Sequence, residues 1–268
     1  FFVTYANIDR VSPAAPPASP VNPLDRWILS ETERLVAETT QQMDLYDIQK
    51  AIDHIVEFID LLNNWYIRRS RRRFWRSEND RDKEEAYQTL YAVLMTLVKA
   101  AAPFMPFITE EIYRNLRASG PESVHLADFP EYRAERRDLA LEARMSVARR
   151  AVSMGRALRT LHNLKIRQPL RALYLVTRDP REKAILEEMQ ELIREELNVK
   201  DVLFRGNEED LIEYSAKPNY KVLGKRLGKD MKEAASRIEA LSAREIRTLL
   251  GGGEIELKLR ERSWSLKG

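Results

Sequence analysis

The chain has 268 residues, 44% hydrophobic and 32% charged, with 9 glycines, 12 prolines and no cysteine. This is the composition of a helix-rich soluble globule, long enough for one large domain or two unequal ones. It excludes a disulfide framework, a thiolate metal site and a fibrous or disordered chain. A net charge of +3 with pI near 9.0 does not by itself mark a nucleic-acid binder, so the placement of the charges carries the information.

No apolar run is long enough to span a bilayer, and the N-terminus lacks the charged-then-apolar layout of a signal peptide. With no cysteine to oxidise, a reducing compartment is expected, and the cytoplasm is the natural one. Residues 1–9, FFVTYANID, read as a helix entered from something upstream, and with no initiator methionine a fragment of a longer chain is expected. Residues 12–23 hold five prolines, which fix φ and remove backbone donors, so an extended connector is expected there. Asn22 then offers a helix cap and Pro23 a first helical position, with Leu24, Trp27, Ile28 and Leu35 recurring at helical spacing to about Met43.

Ile48, Ile52, Ile55, Ile59, Leu62 and Tyr66 alternate steps of four and three, which predicts one long helix with a single apolar stripe. A third helix is expected from Asp80 to Ala102, stopped by Pro103 and Pro106, and Pro106 suits the opening of the next, from Phe107 to Arg117. After a loop with Gly120, Pro121 and Pro130, a helix from Asp138 to Leu161 carries Leu141, Met145, Ala148, Val152 and Leu158 on one side. These helices can close an up-and-down bundle.

The pattern then changes. β-Leaning runs at 170–177 and 199–204 flank a helix at 180–197, further strands are plausible at 211–215 and 254–259, and a helix at 229–250 should break near Ser242. The expected fold is mainly α: residues 1–23 as helix remnant and linker, a helical bundle over 24–168, and a small α+β domain over 169–268.

Catalysis finds little support. His54, His125 and His162 stand in no nucleophile or carboxylate motif, they offer no metal-ligand spacing, and LGKRLGK at 223–229 lacks the glycine pattern of a phosphate loop. The concentrated feature is NNWYIRRSRRRFW at 63–75, followed by Arg76. The apolar stripe would next require apolar residues near 69 or 70 and at 73 but meets Arg69, Ser70 and Arg73, so the helix end is expected to leave the core and face outward. Arg68, Arg72 and Arg76 share one face while Trp65, Arg69 and Arg73 share another, with Trp75 at the tip. Guanidinium forks hold phosphates and an aromatic ring stacks an unpaired base, so RNA is the expected partner. Dipole-complementing arginines paired with Glu78, Asp80 and Asp82 would account for two or three of the charges. Lys165 and Arg167 at the domain junction, and Lys217, Lys221, Lys225, Arg226 and Lys229 beyond it, could extend a phosphate track.

NPLDRWILS (22–30), NNWYIRRSRRRFW (63–75), APFMPFITEEIY (102–113) and AKPNYKVLGKRLGK (216–229), with LKIRQPL (164–170), resemble the C-terminal half of the isoleucyl-tRNA synthetases, a class I synthetase family. The first and third occur in variant form in the related valyl and leucyl enzymes, whereas the second and last favour isoleucine. The resemblance spans nearly the whole chain in order, but the family's HIGH-type and KMSKS-type motifs and its editing domain are absent. It implies a parent enzyme that joins isoleucine to its tRNA with ATP and magnesium. This chain would supply the anticodon-stem-binding bundle and the start of the C-terminal extension, inactive and cofactor-free alone. It further implies tRNA and the upstream catalytic and editing domains as partners, a monomer, and Trp65 to Arg76 on the tRNA-facing helix. The last stretch is closer to the eukaryotic-type branch than to the zinc-ended bacterial one. The alternatives are the matching part of a valyl- or leucyl-type synthetase, or a helical module that docks an acidic protein.

Overall fold

The Asn22 side chain accepts the Leu24 amide at 3.0 Å and Pro23 fills the first helical position, so helix α2 starts where the sequence caps it and runs Pro23–Asp44. Before it lies α1, Phe2–Asp9. The computed structural model describes residues 2–11, 20–75, 80–177, 179–205, 215–259 and 262–267; positions 12–19 of the expected proline connector lie outside them. Trp27, Ile28, Leu35 and Val36 form the buried face of α2.

Helix α3, Ile48–Leu61, is capped by Asp47, which accepts the Lys50 amide at 3.1 Å. Its buried residues are Ala51, Ile55, Phe58 and Leu61; of the expected stripe Ile55, Leu62 and Tyr66 are buried, Ile52 and Ile59 half-buried, and Ile48 is exposed. Phe58 is the large side chain that the isoleucine pattern steps over.

The long helix is not uniform either. Residues Leu62–Ile67 form a π-helical turn before α4, Arg68–Trp75. Phe58, Leu62, Tyr66, Ser70 and Phe74 are all buried, four successive steps of four residues. A regular α-helix would carry such a row off its face by about 40° per step. The i→i+5 turn adds a residue and returns the row to the core.

Asp80 caps helix α5, Arg81–Ala101, which buries Ala86, Tyr87, Leu90, Val93 and Leu97. Pro106 opens α6, Pro106–Leu116, whose Thr109, Tyr113 and Leu116 face inward. Helix α7, Leu139–Leu161, is capped by Asp138 and buries Leu141, Met145, Ala148 and Val152. Beyond strand β1, Leu170–Val176, the expected single helix is two, α8, Pro180–Glu188, and α9, Gln190–Leu197, the second ended by Asn198 in the left-handed region at φ 48°. A Cβ at Gly155 would lie 2.4 Å from Leu197 Cδ1, so only glycine allows α7 and α9 to approach this closely.

The first compact unit comprises Phe1–Leu170 and Arg181–Lys200, and therefore takes in α8 and α9, which the sequence reading placed beyond residue 169 in the second domain. The second unit comprises Arg171–Pro180 and Asp201–Gly268. Strand β2, Val199–Arg205, lies beside β1, and the Arg205 guanidinium sits 4.8 Å from the centre of the Tyr174 ring. Of the strand expected at 211–215, residues 211–214 lie outside the described residues and Ser215 is irregular.

Helix α10, Tyr220–Leu227, starts at the Asn219 cap and was missed in the sequence. The break expected near Ser242 separates α11, Met231–Glu239, from α12, Ala243–Leu250, where Ser242 and Glu245 form a capping box. Strand β3, Glu254–Leu259, pairs antiparallel with β4, Arg262–Lys267, with Leu257 opposite Trp264. Leu259 and Trp264 close on Ala234, Leu223 and Met231.

Candidate nucleic-acid interface

The arginine run splits between a buried node and a solvent-facing rim. Arg73 is 7% exposed, which corrects the expectation that the helix leaves the core. Its Nη1 and Nη2 donate to the two carboxylate oxygens of Asp25, each at 2.7 Å, and Nε donates to Asp82 Oδ2 at 3.0 Å. The Tyr66 hydroxyl donates to Asp25 Oδ1 at 2.7 Å. Two of the quoted strings thus meet: NPLDRW supplies Asp25, in the first turn of α2 where a negative charge is favoured, and the arginine string supplies Tyr66 and Arg73. Burial works to lower the Arg73 pKa, but the bidentate contact with Asp25 outweighs it and holds the guanidinium more firmly protonated. Burial, reinforced by the charge of Asp25, pushes the Tyr66 hydroxyl well above its ordinary value. Arg73 is therefore a structural ion-pair member.

Arg68, Arg69 and Arg72 stand on the other side of α4. Arg68 and Arg156 of α7 both donate to Glu196 Oε2, Arg156 at 2.5 Å, while Arg69 Nη1 donates to Oε1 at 2.7 Å and its Nη2 to Glu195 Oε2 at 3.1 Å. Glu196, almost wholly buried, gathers three guanidinium groups. Burial first, then the charge of Arg68, pushes the Arg156 pKa down against the pull of Glu196. Arg68, Arg69, Arg72, Glu195 and Glu196 line a cleft of about 370 Å³. Arg71 and Arg72 are exposed, and among the described residues neither makes an ion pair. Trp75 is 56% exposed at the helix end; Arg76 lies outside the described residues.

Trp65, expected as an outward stacking ring, is 6% exposed, because the π-helical turn brings it inward beside Tyr66. Arg68 lies 5.9 Å from its ring centre. The indole N–H has no hydrogen-bond partner among the described residues. Trp65 lines a groove of about 460 Å³ between α3 with its π-helical turn and α7, together with Asp60, Asn64, Ser153, Arg149 and Arg156. Arg149 is half-buried and makes no direct ion pair or hydrogen bond among the described residues. Burial lowers its pKa, with Glu31 and Glu57 opposing and Arg34 adding repulsion.

Sequence reading missed Arg149, Arg156, Glu195 and Glu196. The signal for the first two was present, since Arg149, Ser153 and Arg156 are spaced i, i+4, i+7 along one face of α7. The glutamates carry no signal until α9 is folded against α7.

At the end of α7, Arg159 is buried and donates to four backbone carbonyls, those of Lys165, Gln168, Leu197 and Asn198, at 2.7 to 3.2 Å. It ties the 162–169 turn to the C-terminus of α9, where a positive charge is favoured, and leaves Lys165 and Arg167 exposed on that turn. In the second unit Lys217 and Lys221 are exposed, while the side chains of Lys225 and Arg226 lie outside what the structure describes. No helix among the described residues is long and apolar enough to cross a membrane.

A helical unit whose polar edge concentrates guanidinium groups over carboxylates is the architecture of a polyanion-binding module. Residues 25–174 match the anticodon-binding domain of tRNA ligases, and the chain belongs to that family. It is also similar to isoleucine–tRNA ligases: 52% identical to that of Treponema denticola over 98% of this chain, 46% to that of Protochlamydia amoebophila over 97%, and 42% to that of Chlamydia muridarum over 99%. The chain spans about a quarter of the length of these relatives, 25%, 25% and 26%.

Proposed function

We propose that this chain is the tRNA-gripping part of an isoleucine–tRNA ligase, holding the anticodon stem so that the rest of the polypeptide can attach isoleucine with ATP and magnesium. The observation that carries the reading is the charge excess at the α4–α9 rim, where among the described residues Arg68, Arg69, Arg72 and Arg156 face Glu195 and Glu196 alone and Arg71 stands exposed beside them. Carboxylates tether Arg68 and Arg69 in fixed directions, while Arg71 and Arg72 are left for phosphate oxygens. Trp75 offers a ring for an unpaired base, and Lys165 and Arg167 in the first unit and Lys221, Lys225 and Arg226 in the second are further positions for phosphate contact. The parent chain works as a monomer in the cytoplasm, with its catalytic and editing domains as covalent partners.

The test is a filter-binding titration of isoleucine tRNA at two salt concentrations with the variant Arg71→Ala/Arg72→Ala. Affinity should fall by about tenfold, and the slope of log K against log salt should flatten by about 1 to 2. Unchanged affinity and slope would remove the reading.

A further inference from the structure

We propose, resting on the RNA-binding reading above, that the groove between α3 with its π-helical turn and α7 is a ribose–phosphate site that tells RNA from DNA. Three observations point to it. Trp65, 6% exposed, lines the groove, and its buried indole N–H has no acceptor among the described residues. An unmade hydrogen bond at a buried donor is costly, so the site calls for an incoming acceptor oxygen.

Arg149, on the opposite wall, is half-buried with no direct ion pair among the described residues, although the charges of Glu31, Glu57 and Asp60 act on it, and neighbouring Arg150 and Arg156 are each held by a glutamate, Glu182 and Glu196. Of these three guanidinium groups it is the one left to meet a phosphate.

The groove also carries acceptors that a plain phosphate site would avoid. Asp60 accepts from Asn64 Nδ2 at 2.5 Å, which fixes one carboxylate oxygen and leaves the other for a donor. A phosphodiester backbone offers no donor except the ribose 2′-hydroxyl, which DNA lacks. Arg149 and the Trp65 N–H would hold phosphate oxygens, and Asp60 with Asn64 would accept and return a hydrogen bond at the 2′-hydroxyl. A carboxylate facing a DNA backbone would meet only like charge.

The groove touches the rim cleft through the Arg156–Glu196 ion pair and through Arg68 above the Trp65 ring, so one strand could lie along both.

The experiment titrates the full chain with an anticodon stem-loop made as RNA and as the all-2′-deoxy strand, at one low salt concentration, followed by fluorescence anisotropy. The wild-type chain should favour the RNA. Asp60→Ala should lower RNA affinity about fivefold to tenfold while leaving or improving binding of the deoxy strand, which collapses the preference. Arg149→Gln should weaken both strands to a similar degree, with partial recovery in Arg149→Lys. Ser153→Phe, at an exposed position on the groove wall, should reproduce the loss by filling the space and guards against a folding defect in the other variants. If the groove variants bind RNA as the wild type does while Arg71→Ala/Arg72→Ala still loses affinity, the groove assignment falls and the RNA-binding reading stands. Should all of them bind alike, both fall. Equal losses for RNA and deoxy strand in Asp60→Ala would also overturn the discriminating role.

Discussion

Arg69 and Arg73 sit one helical turn apart in the same arginine string, yet they serve opposite purposes. Arg73 turns inward and is spent on Asp25 and Asp82, whereas Arg69 reaches sideways to Glu195 and Glu196 at the edge of an open cleft. The backbone makes the difference: the π-helical turn at Leu62–Ile67 carries Ser70, Arg73 and Phe74 to the core and leaves Arg68, Arg71 and Arg72 outside. A run of like charges is therefore not one surface. Part of it locks three helices together, and the other part is free to meet a polyanion.

The largest effect should come from breaking the buried half. Arg73→Ala leaves the wholly buried Asp25 carboxylate, among the described residues, with the Tyr66 hydroxyl as its remaining side-chain donor, a loss of about 3 to 5 kcal/mol for a severed buried pair. Urea denaturation should record this as a fall in midpoint with little change in slope, while the double variant Arg73→Met/Asp25→Leu should recover much of it. If the single variant stays within about 1 kcal/mol of the wild type, Arg73 is not the structural member of the string.

The rim should respond in the opposite sense for binding. Glu196→Gln keeps the shape of the acceptor but removes the charge on which Arg68, Arg69 and Arg156 converge. Stability should drop by about 1 to 2 kcal/mol, since the three guanidinium groups then repel one another. Affinity for tRNA should rise severalfold, because the cleft loses a negative charge. Measured together, a melting curve and a tRNA titration would show stability and affinity moving apart. Weaker binding would mean instead that Glu196 matters more for aiming the arginines than for the charge it subtracts.

The helices were legible because their caps and stops are local: Asn22–Pro23, Asp80, Pro106, Asp138 and Ser242 each announce a boundary within a few residues. What escaped was non-local. The π-helical turn has no composition cue in LNNWYI, so the failure of the apolar stripe at Arg69 and Arg73 reads in the sequence as exit from the core, whereas Arg73 forms a buried ion pair. Asp25 lies 48 residues before Arg73, and Glu196 lies 128 after Arg68, so neither partner could be read from the string itself. The arginine string is the most concentrated charge feature of the sequence, but which of its members touch solvent depends on the π-helical turn that precedes them. β4 was missed although Ser263, Trp264, Ser265 and Leu266 alternate, because so short a run shows itself as a strand only by its pairing with β3.

A contrast between two surroundings of like charges recurs in miniature at Glu142 and Glu31, and there it should be visible in pH. At Glu142 burial works to raise the pKa, but hydrogen bonds from Arg137 and Ser30 prevail and hold the carboxyl below its ordinary value. At Glu31 burial is the largest influence and the charge of Glu142 adds to it, so the carboxyl is raised despite Arg34 and the Trp27 N–H. A depressed acid contributes stability that is present above its unfolded pKa and lost as pH falls through the folded one. A raised acid contributes stability that is present below its unfolded pKa and lost as pH rises through the folded one. Glu142→Gln should therefore be less stable than the wild type at neutral pH, with the gap closing in acid. Glu31→Gln, which keeps the acceptor for Trp27, should be the more stable protein at neutral pH, with its advantage disappearing as pH falls through the carboxylate range. Urea midpoints of both variants followed from about pH 4 to about pH 7 provide the measurement. Parallel pH curves for the two would mean that proximity couples them into one titrating pair, whereas curves of opposite slope would show that each carboxylate answers to its own surroundings.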